Sequence, residues 1–416
     1  MENNDYKNLS RKRRYELKKK KSKKNKFWKI FFTILTLMLI SGGVYGAYTW
    51  NNIKNSANKG YKEVAGTSDT ENTVSKFSML VLGIDENDAR ASQGQTKESS
   101  RTDSMIYMAV NKDKNRMDML SIPRDSISLM RNELYNKDPN AFFYDKITHA
   151  HVFDGVGGSI TAVENLLNAP INFYVLVNFK AFEQTVDSLG GINLYVPFDM
   201  VENNDNDARG GSIRLKQGWQ TLNGKQALSF CRSRKYDSDM ARGQRQLQVI
   251  HAVIDKAKSL DALSKINEII TIGGDNVTHN LNTKQITSII SMFLKNDINV
   301  VTHQLEGYNI MYNGVYYFYP KPSHLLYASS VLRDTLDLPL PNANDILNIH
   351  YQGRISMLRA IYSNNPTTNA KNYQPARIVN LLPEDLITNL PDKLTKEDLK
   401  NDPTVSKNPT QNKQQN

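Results

Sequence analysis

From Ile30 to Trp50 the chain runs for 21 residues without a charged side chain, directly after a block (residues 1–29) that holds thirteen Lys or Arg and three acids. At about 1.5 Å per helical residue such a run crosses a hydrocarbon core of about 30 Å. It is therefore predicted to be a transmembrane helix. Trp28 at one end, with Tyr48 and Trp50 at the other, suits the two interfaces, and the basic flank sets the N-terminus in the cytoplasm with the rest of the chain outside it. Three other readings compete. A cleavable leader has a shorter charged region and a small-residue cleavage site, neither of which is found here. A Lys/Arg block can bind nucleic-acid phosphates, but beside a span it serves orientation and contact with anionic lipid, so no nucleic-acid partner is expected. A core helix does not start beside so much charge.

The net charge of the whole chain is +11, and residues 1–29 carry +10 of it, so residues 30–416 are nearly neutral at +1. Any anion site in the exported part must then come from local placement of arginines, not from a general basic surface. The lone cysteine, Cys231, excludes an intramolecular disulfide and reads as a small packed residue.

Hydrophobic periodicity divides the remainder. Residues 51–75 are polar and read as a spacer, 76–341 as the globular domain, and 342–416 as a C-terminal extension rich in Asn, Pro, Lys, Thr and Gln, disordered from 401 onward. Within the domain, 77–84, 105–110, 117–122, 173–177 and 192–196 have strand length and composition. Residues 160–167, 179–189, 222–232, 244–260 and 283–294 have helical periodicity. Asn313-Gly314 between apolar flanks predicts a two-residue hairpin. Alternating strands and helices indicate an α/β domain of layered architecture.

The chemistry-bearing residues lie where apolar runs end. Asp85 closes the first strand, Arg101 and Asp103 precede the second, and Arg124 and Asp125 follow the third. Ligands in open α/β sheets bind in the crevice beyond the strand ends. A denser group follows: Arg232, Arg234, Asp237, Asp239, Arg242, Arg245 and Gln246. Residues 242, 245 and 246 share one helical face, and the planar guanidinium fork matches phosphate oxygens in a way that Lys does not. The interspersed carboxylates either pair with the arginines or hold a divalent cation, for which Mg²⁺ is the hard, oxygen-seeking choice. His149 and His151 lack the companions of a metal site, and Gly155 to Gly158 reads as a turn and helix start.

Gly83-Ile84-Asp85, Arg101-Thr102-Asp103, Ser121-Ile122-Pro123-Arg124-Asp125, Lys146 to His151 with Gly157-Gly158, Val186 to Ile192 and the block Arg232 to Gln246 occur in the order of the LytR-CpsA-Psr family, which the chain resembles densely from Phe77 to about Ala252. The basic tail and single span are similar too. The resemblance implies a three-layer α/β/α domain with a mixed central sheet behind one transmembrane helix, anchored in a Gram-positive cell membrane. It implies a Mg²⁺-dependent phosphotransferase that moves a glycopolymer (wall teichoic acid, capsule or another wall polysaccharide) from undecaprenyl diphosphate to the 6-hydroxyl of peptidoglycan N-acetylmuramic acid. On it, Asp85 and Asp103 resemble the metal carboxylates. Arg101, Arg124, Arg232, Arg234, Arg242 and Gln246 resemble the diphosphate-site residues, with Asp239 in support. Asp103 and Asp239 are both candidate bases. The lipid needs an apolar cleft, for which 173–177 and the apolar faces of 179–189 and 247–254 are candidates; without a pocket there, the same residues are ordinary core. A membrane-tethered transcriptional regulator and a lipid-diphosphate binder or pyrophosphatase are the alternative functions.

Overall fold

The computed structural model describes residues 48–52, 54–64, 74–84, 100–131, 142–203, 211–233, 235–237, 239–259, 272, 276–312, 315–343, 345–346 and 393–405. Nearly all of the predicted span, together with Asp85 and Arg234, lies outside them. No helix among the described residues is long and apolar enough to cross a membrane. The chain divides into two units, Met1–Lys54 and Asn55–Asn416, and the second carries the fold.

Its centre is a six-stranded mixed sheet. The strands are β1 (Lys76–Ile84), β2 (Thr102–Asn111), β3 (Arg116–Ser121), β6 (Phe173–Asn178), β11 (Val277–His279) and β12 (Asn299–Gln304), in the order β11-β6-β1-β2-β3-β12. β1 is parallel to β6 and β3 to β12, whereas β2 is antiparallel to both β1 and β3. Consequently β1, β3, β6 and β12 all end at one edge of the sheet.

Alternation along the strands sends apolar side chains to both faces. On one face Leu80, Leu82, Met105, Tyr107 and Leu120 pack with Val163 and Leu166 of α1 (Ala150–Leu167) and Leu325 and Leu332 of α6 (Pro322–Thr335). On the other, Phe77, Ile106, Met108 and Met119 pack with Leu247 of α4 (Asp239–Ala257) and Met292 of α5 (Thr283–Lys295). Each large side chain so buried contributes about 1.5–3 kcal/mol. A third cluster joins α2 (Phe179–Ser188) and α3 (Gly224–Arg232) to the small sheets β7 (Ile192–Val196) with β10 (Gly218–Leu222) and β8 (Met200–Asn203) with β9 (Ser212–Leu215). The helix starts follow from sequence. Asn223 with Gln226, and Asn282 with Gln285, form reciprocal capping boxes on α3 and α5.

β4 (Ile127–Arg131) pairs with β5 (Phe142–Lys146), and the predicted hairpin is present: β13 (Gly307–Tyr312) pairs with β14 (Val315–Pro320), closed by Tyr312 opposite Val315. In α1 the backbone leaves helical geometry at Asp154 and Gly155, the latter at φ +57°, before the helix continues. That agrees with a turn followed by a helix start.

Two polar segments behave differently from expectation. Residues 55–64, taken as spacer, pack on the domain: Tyr61 bridges His279, Lys62 N–H donates to His279 O at 2.8 Å, and the Tyr174 hydroxyl donates to Lys62 O at 2.6 Å. Gly60 permits this approach, since a Cβ there would come within 2.5 Å of Val277 O. Residues 393–405, taken as part of a separate extension and as disordered from 401, also dock. Leu394 joins the first core, and Val405 bridges His303 on β12.

The second docking site is a buried ionic cluster. Asp118 on β3 accepts from Arg116 Nε at 2.7 Å and Nη2 at 2.9 Å, from Thr335 Oγ1 at 2.5 Å and from His303 Nε2 at 2.7 Å. His303 Nδ1 faces Thr404 Oγ1 at 3.0 Å and Asp402 Oδ2 at 3.2 Å. Burial pushes the Asp118 and Asp402 carboxyls up, but hydrogen bonds led by His303 outweigh it and both end below the ordinary 3.8. Burial likewise disfavours the imidazolium, yet the two carboxylates hold His303 above its ordinary 6.5. A raised imidazole stabilises fully below its unfolded value and loses that contribution as pH rises through the folded one. Depressed carboxyls stabilise above theirs and lose it as pH falls through the folded one. The cluster's contribution is therefore complete between about pH 4 and 6.5. Urea midpoints are expected to decline above this window, and His303→Gln should flatten that alkaline limb. An unaltered limb in the variant would refute the assignment.

Candidate functional site

The shared edge at which β1, β3, β6 and β12 end gathers the described candidates. Pairing of β1 with β2 slips between Gly83 and Ile84, so that Gly83 faces Ser104 and Ile84 faces Thr102. Asp103 is thus the extra residue of a bulge, a geometry that re-aims a side chain. Its Oδ1 accepts from Arg124 Nη1 at 2.5 Å. Arg124 follows β3 through Pro123. Its neighbour Asp125 is buried and paired with Lys146 Nζ at 3.0 Å and Arg124 Nε at 3.5 Å.

The Lys146 to His151 stretch fixes both loops in place. Thr148 N–H donates to Arg124 O at 3.0 Å, its hydroxyl donates to Thr102 O at 2.8 Å, and His151 Nδ1 donates to Ser100 O at 2.8 Å. Ser100 and Thr102 are fully buried while Arg101 between them is exposed, so an anchored backbone projects one guanidinium. His151 therefore works as a staple. His149 does have an acidic neighbour, Asp145 Oδ2 at 2.7 Å, but among the described residues no group of three or more His, Cys, Asp or Glu could hold a metal.

Helix α4 crosses the same edge. A Cβ on Gly243 would meet Ser121 Oγ at 2.6 Å, so glycine lets the helix lie on the end of β3. Two further contacts pin it: Ser104 Oγ donates to Gln246 Oε1 at 3.0 Å, and Gln304 Nε2 donates to Met240 O at 2.7 Å. Arg242 lies one turn before Gln246 and is buried. Arg232, the last residue of α3, has its guanidinium 4.5 Å from the centroid of Phe179, the residue that follows β6. The ring fixes the plane of the guanidinium.

Arg245 is different from its neighbours in the block. It is buried, donates from Nε to Phe230 O at 2.8 Å and from Nη2 to Ser233 O at 2.5 Å, and pairs with Asp237. Sharing a helical face with Arg242 and Gln246 did not bring its head group to the edge. It holds the connection between α3 and α4 instead. Asp239 begins α4, and its side chain, like Arg234 and Asp85, lies outside the described residues. Cys231 is buried and its thiol is pushed up to about 12 by burial, so it is unreactive packing. Sequence reasoning missed Ser104, Gln304 and Phe179, which are uncharged. The position of Phe179 directly after a strand run was the one available signal.

A second feature meets the arginines from the α4 and α5 face. β1 has strands on both sides, and its Leu80, Leu82 and Ile84 are buried, yet Met79, Val81 and Gly83 on the opposite face are only half-buried. Val175 and Val177 of β6, opposite Val81 and Gly83, are half-buried as well. So are Ile250 and Ile254 of α4 and Ile286, Ile289 and Phe293 of α5, which pack around them. The two helices leave the middle of the sheet incompletely covered with apolar side chains. The strip ends at Gly83, beside Ser104 and Gln246. Of the cleft candidates, 175, 177, 250 and 254 lie on it. Phe173 and Leu247 are core, and α2 faces elsewhere, with Val186 in the third cluster.

A family model described as the LytR_cpsA_psr family matches residues 44–333. The chain is 38% identical over 333 residues to an uncharacterized protein of Staphylococcus aureus, covering 78% of this chain and 80% of that protein. It is 34% identical over 312 residues to a Bacillus subtilis protein named polyisoprenyl-teichoic acid–peptidoglycan teichoic acid transferase TagT, covering 73% of this chain and 93% of TagT. Among solved structures, B. subtilis TagV superposes with a TM-score of 0.54 at 29% identity, over 65% of this chain and all of that one. TagT bound to LIIa-WTA superposes at 0.52 and 31% identity, over 67% and 98%.

Proposed function

The chain belongs to the LytR-CpsA-Psr family, and from that premise we propose that it transfers a glycopolymer from an undecaprenyl diphosphate carrier to peptidoglycan N-acetylmuramic acid. The observation that carries this reading is the half-buried apolar strip that ends at a cluster of guanidiniums. A polyprenyl diphosphate has the same two parts in the same order, a long apolar chain and a compact anion. The relatives named as teichoic acid transferases, and TagT bound to LIIa-WTA, support the substrate class.

In the reaction, the acceptor hydroxyl oxygen forms a bond to the sugar-linked phosphorus. The bond from that phosphorus to the bridging oxygen breaks, and polyprenyl phosphate leaves with its electron pair. Arg101, Arg124, Arg232 and Arg242 supply forked donors to the non-bridging and leaving oxygens, and Gln246 supplies an amide held by Ser104. The hydroxyl proton passes to a carboxylate, Asp103 or Asp239. Mg²⁺, when bound, neutralises charge on the diphosphate. Asp103, with one oxygen engaged by Arg124, and Asp85 would hold the ion. The predicted span anchors the chain in the cell membrane, N-terminus inside, with the domain facing the wall.

Incubating the full-length protein in lipid with Mg²⁺, a lipid-diphosphate-linked glycan and un-cross-linked peptidoglycan should give a covalent glycan–peptidoglycan product. Phosphate release without that product would make the chain a lipid-diphosphate hydrolase, and tight sequence-specific DNA binding would make it a regulator. The apolar strip has its own test. Val81→Trp adds volume at its centre and is expected to weaken binding of octaprenyl diphosphate by roughly tenfold or more. Binding of inorganic pyrophosphate should be unchanged; an equal loss for both probes would show that the strip does not hold the lipid.

A further inference from the structure

The end of β12 joins two parts of the molecule that are far apart in sequence. Gln304 sits there beside Ser121 in the sheet register and is buried. Its side chain donates from Nε2 to Met240 O at 2.7 Å, and its Oε1 accepts from Gln244 Nε2 at 2.7 Å. A carbonyl can only accept, so the first bond fixes which way the amide points and the second follows from it. Both partners lie in the first turns of α4, which also carries Arg242 and Gln246. The backbone of Gln304 is held from the other side. Its N–H donates to Thr404 O at 2.8 Å, while His303 is bridged by Val405 and bound by Asp402 and Thr404.

We infer that Gln304 is a positioning residue for the start of α4, and that residues 402–405, by pairing with the end of β12, hold Gln304 in place. The C-terminal segment is on this view a working part of the transfer site although it contributes no group to it. The role rests on the proposed phosphotransfer, because it is through Arg242 and Gln246 that the helix start would meet the diphosphate. The physical reason is geometric. Forked donors act on a developing charge only over a narrow range of distance and angle, and a displacement of about 1 Å at a reacting centre costs roughly 100-fold.

Two variants of the full-length protein and their combination test this. Gln304→Met keeps length and volume and removes both hydrogen bonds; a stop after Asn401 removes the segment whose Thr404 O holds the Gln304 backbone and leaves Leu394 in the core. Each is expected to lower kcat of transfer roughly 10- to 100-fold with a smaller change in KM for the lipid-linked substrate. Each should also speed hydrogen exchange at the amides of 240–247, which a defect elsewhere would not do. Since both reach the site through the start of α4, the double variant should transfer no more slowly than the more impaired single one. Unchanged exchange at 240–247 in Gln304→Met, or defects that multiply in the double variant, would overturn the inference. Exchange is read without substrate. A wild-type protein that makes no glycan–peptidoglycan product therefore defeats the phosphotransfer reading, while the exchange result still decides whether Gln304 and the tail position α4.

Discussion

Arg124→Ala is expected to reduce glycopolymer transfer by roughly 100- to 1,000-fold, the range found when one preorganised donor to a developing oxyanion is removed. The argument runs through the bulge. Asp103 is aimed by the slip between Gly83 and Ile84, and Arg124 meets it at 2.5 Å, so one guanidinium orients the carboxylate and neutralises part of the charge around the reacting phosphorus. Losing it removes a donor and leaves Asp103 facing the diphosphate as an uncompensated negative charge. Arg124→Lys should recover little, because an ammonium on a flexible stem cannot reproduce two fixed donor directions. Arg101→Ala provides the comparison. Its backbone is anchored by buried neighbours and its side chain is exposed, so activity should fall with no measurable change in Tm. Near wild-type rates in both alanine variants would remove the site from this edge.

The largest effect on stability is expected from Asp118→Ala, at about 3–5 kcal/mol, the cost of taking one partner out of a buried cluster of charges. Arg116 is about one-third exposed and can turn its guanidinium to water, whereas the side chain of His303 is 1% exposed and cannot. The loss should therefore be carried mainly by His303. Adding His303→Leu and Asp402→Asn to Asp118→Ala should recover part of it, since no charge is then left in that space. Urea unfolding of the two variants decides the matter: a triple variant no more stable than the single one would mean that stranded charge does not carry the loss.

What could be read in the sequence depended on the kind of signal each residue left. The long central strands and the helices were legible because apolar residues repeat with period 2 or 3.6. β12 was not. Its Asn299-Val-Val-Thr-His-Gln304 has polar groups at both ends because it is an outer strand, and its His and Gln are turned to bonding partners far away in sequence. The docking of 55–64 and 393–405 was hidden for a related reason, since both are held by backbone pairing, hydroxyls and carboxylates more than by apolar repeats. At the site, Arg101, Asp103 and Arg124 stood out as charges at strand ends. Arg245 shows the limit of helical-face arithmetic: it fixes where a Cα lies, but a long side chain can fold back to carbonyls at 230 and 233. Ser104 and Gln304 carry no charge and gave no signal at all.

The bridges at Tyr61 and Val405 have a further effect, on how copies of the molecule meet. Outer strands expose rows of unsatisfied amides that template pairing with another chain. Here β11 is met by Tyr61 and β12 by Val405, so each flank of the six-stranded sheet is occupied by a short piece of its own chain. Two polar segments thereby take up one pairing position on each outer strand that another copy would otherwise meet.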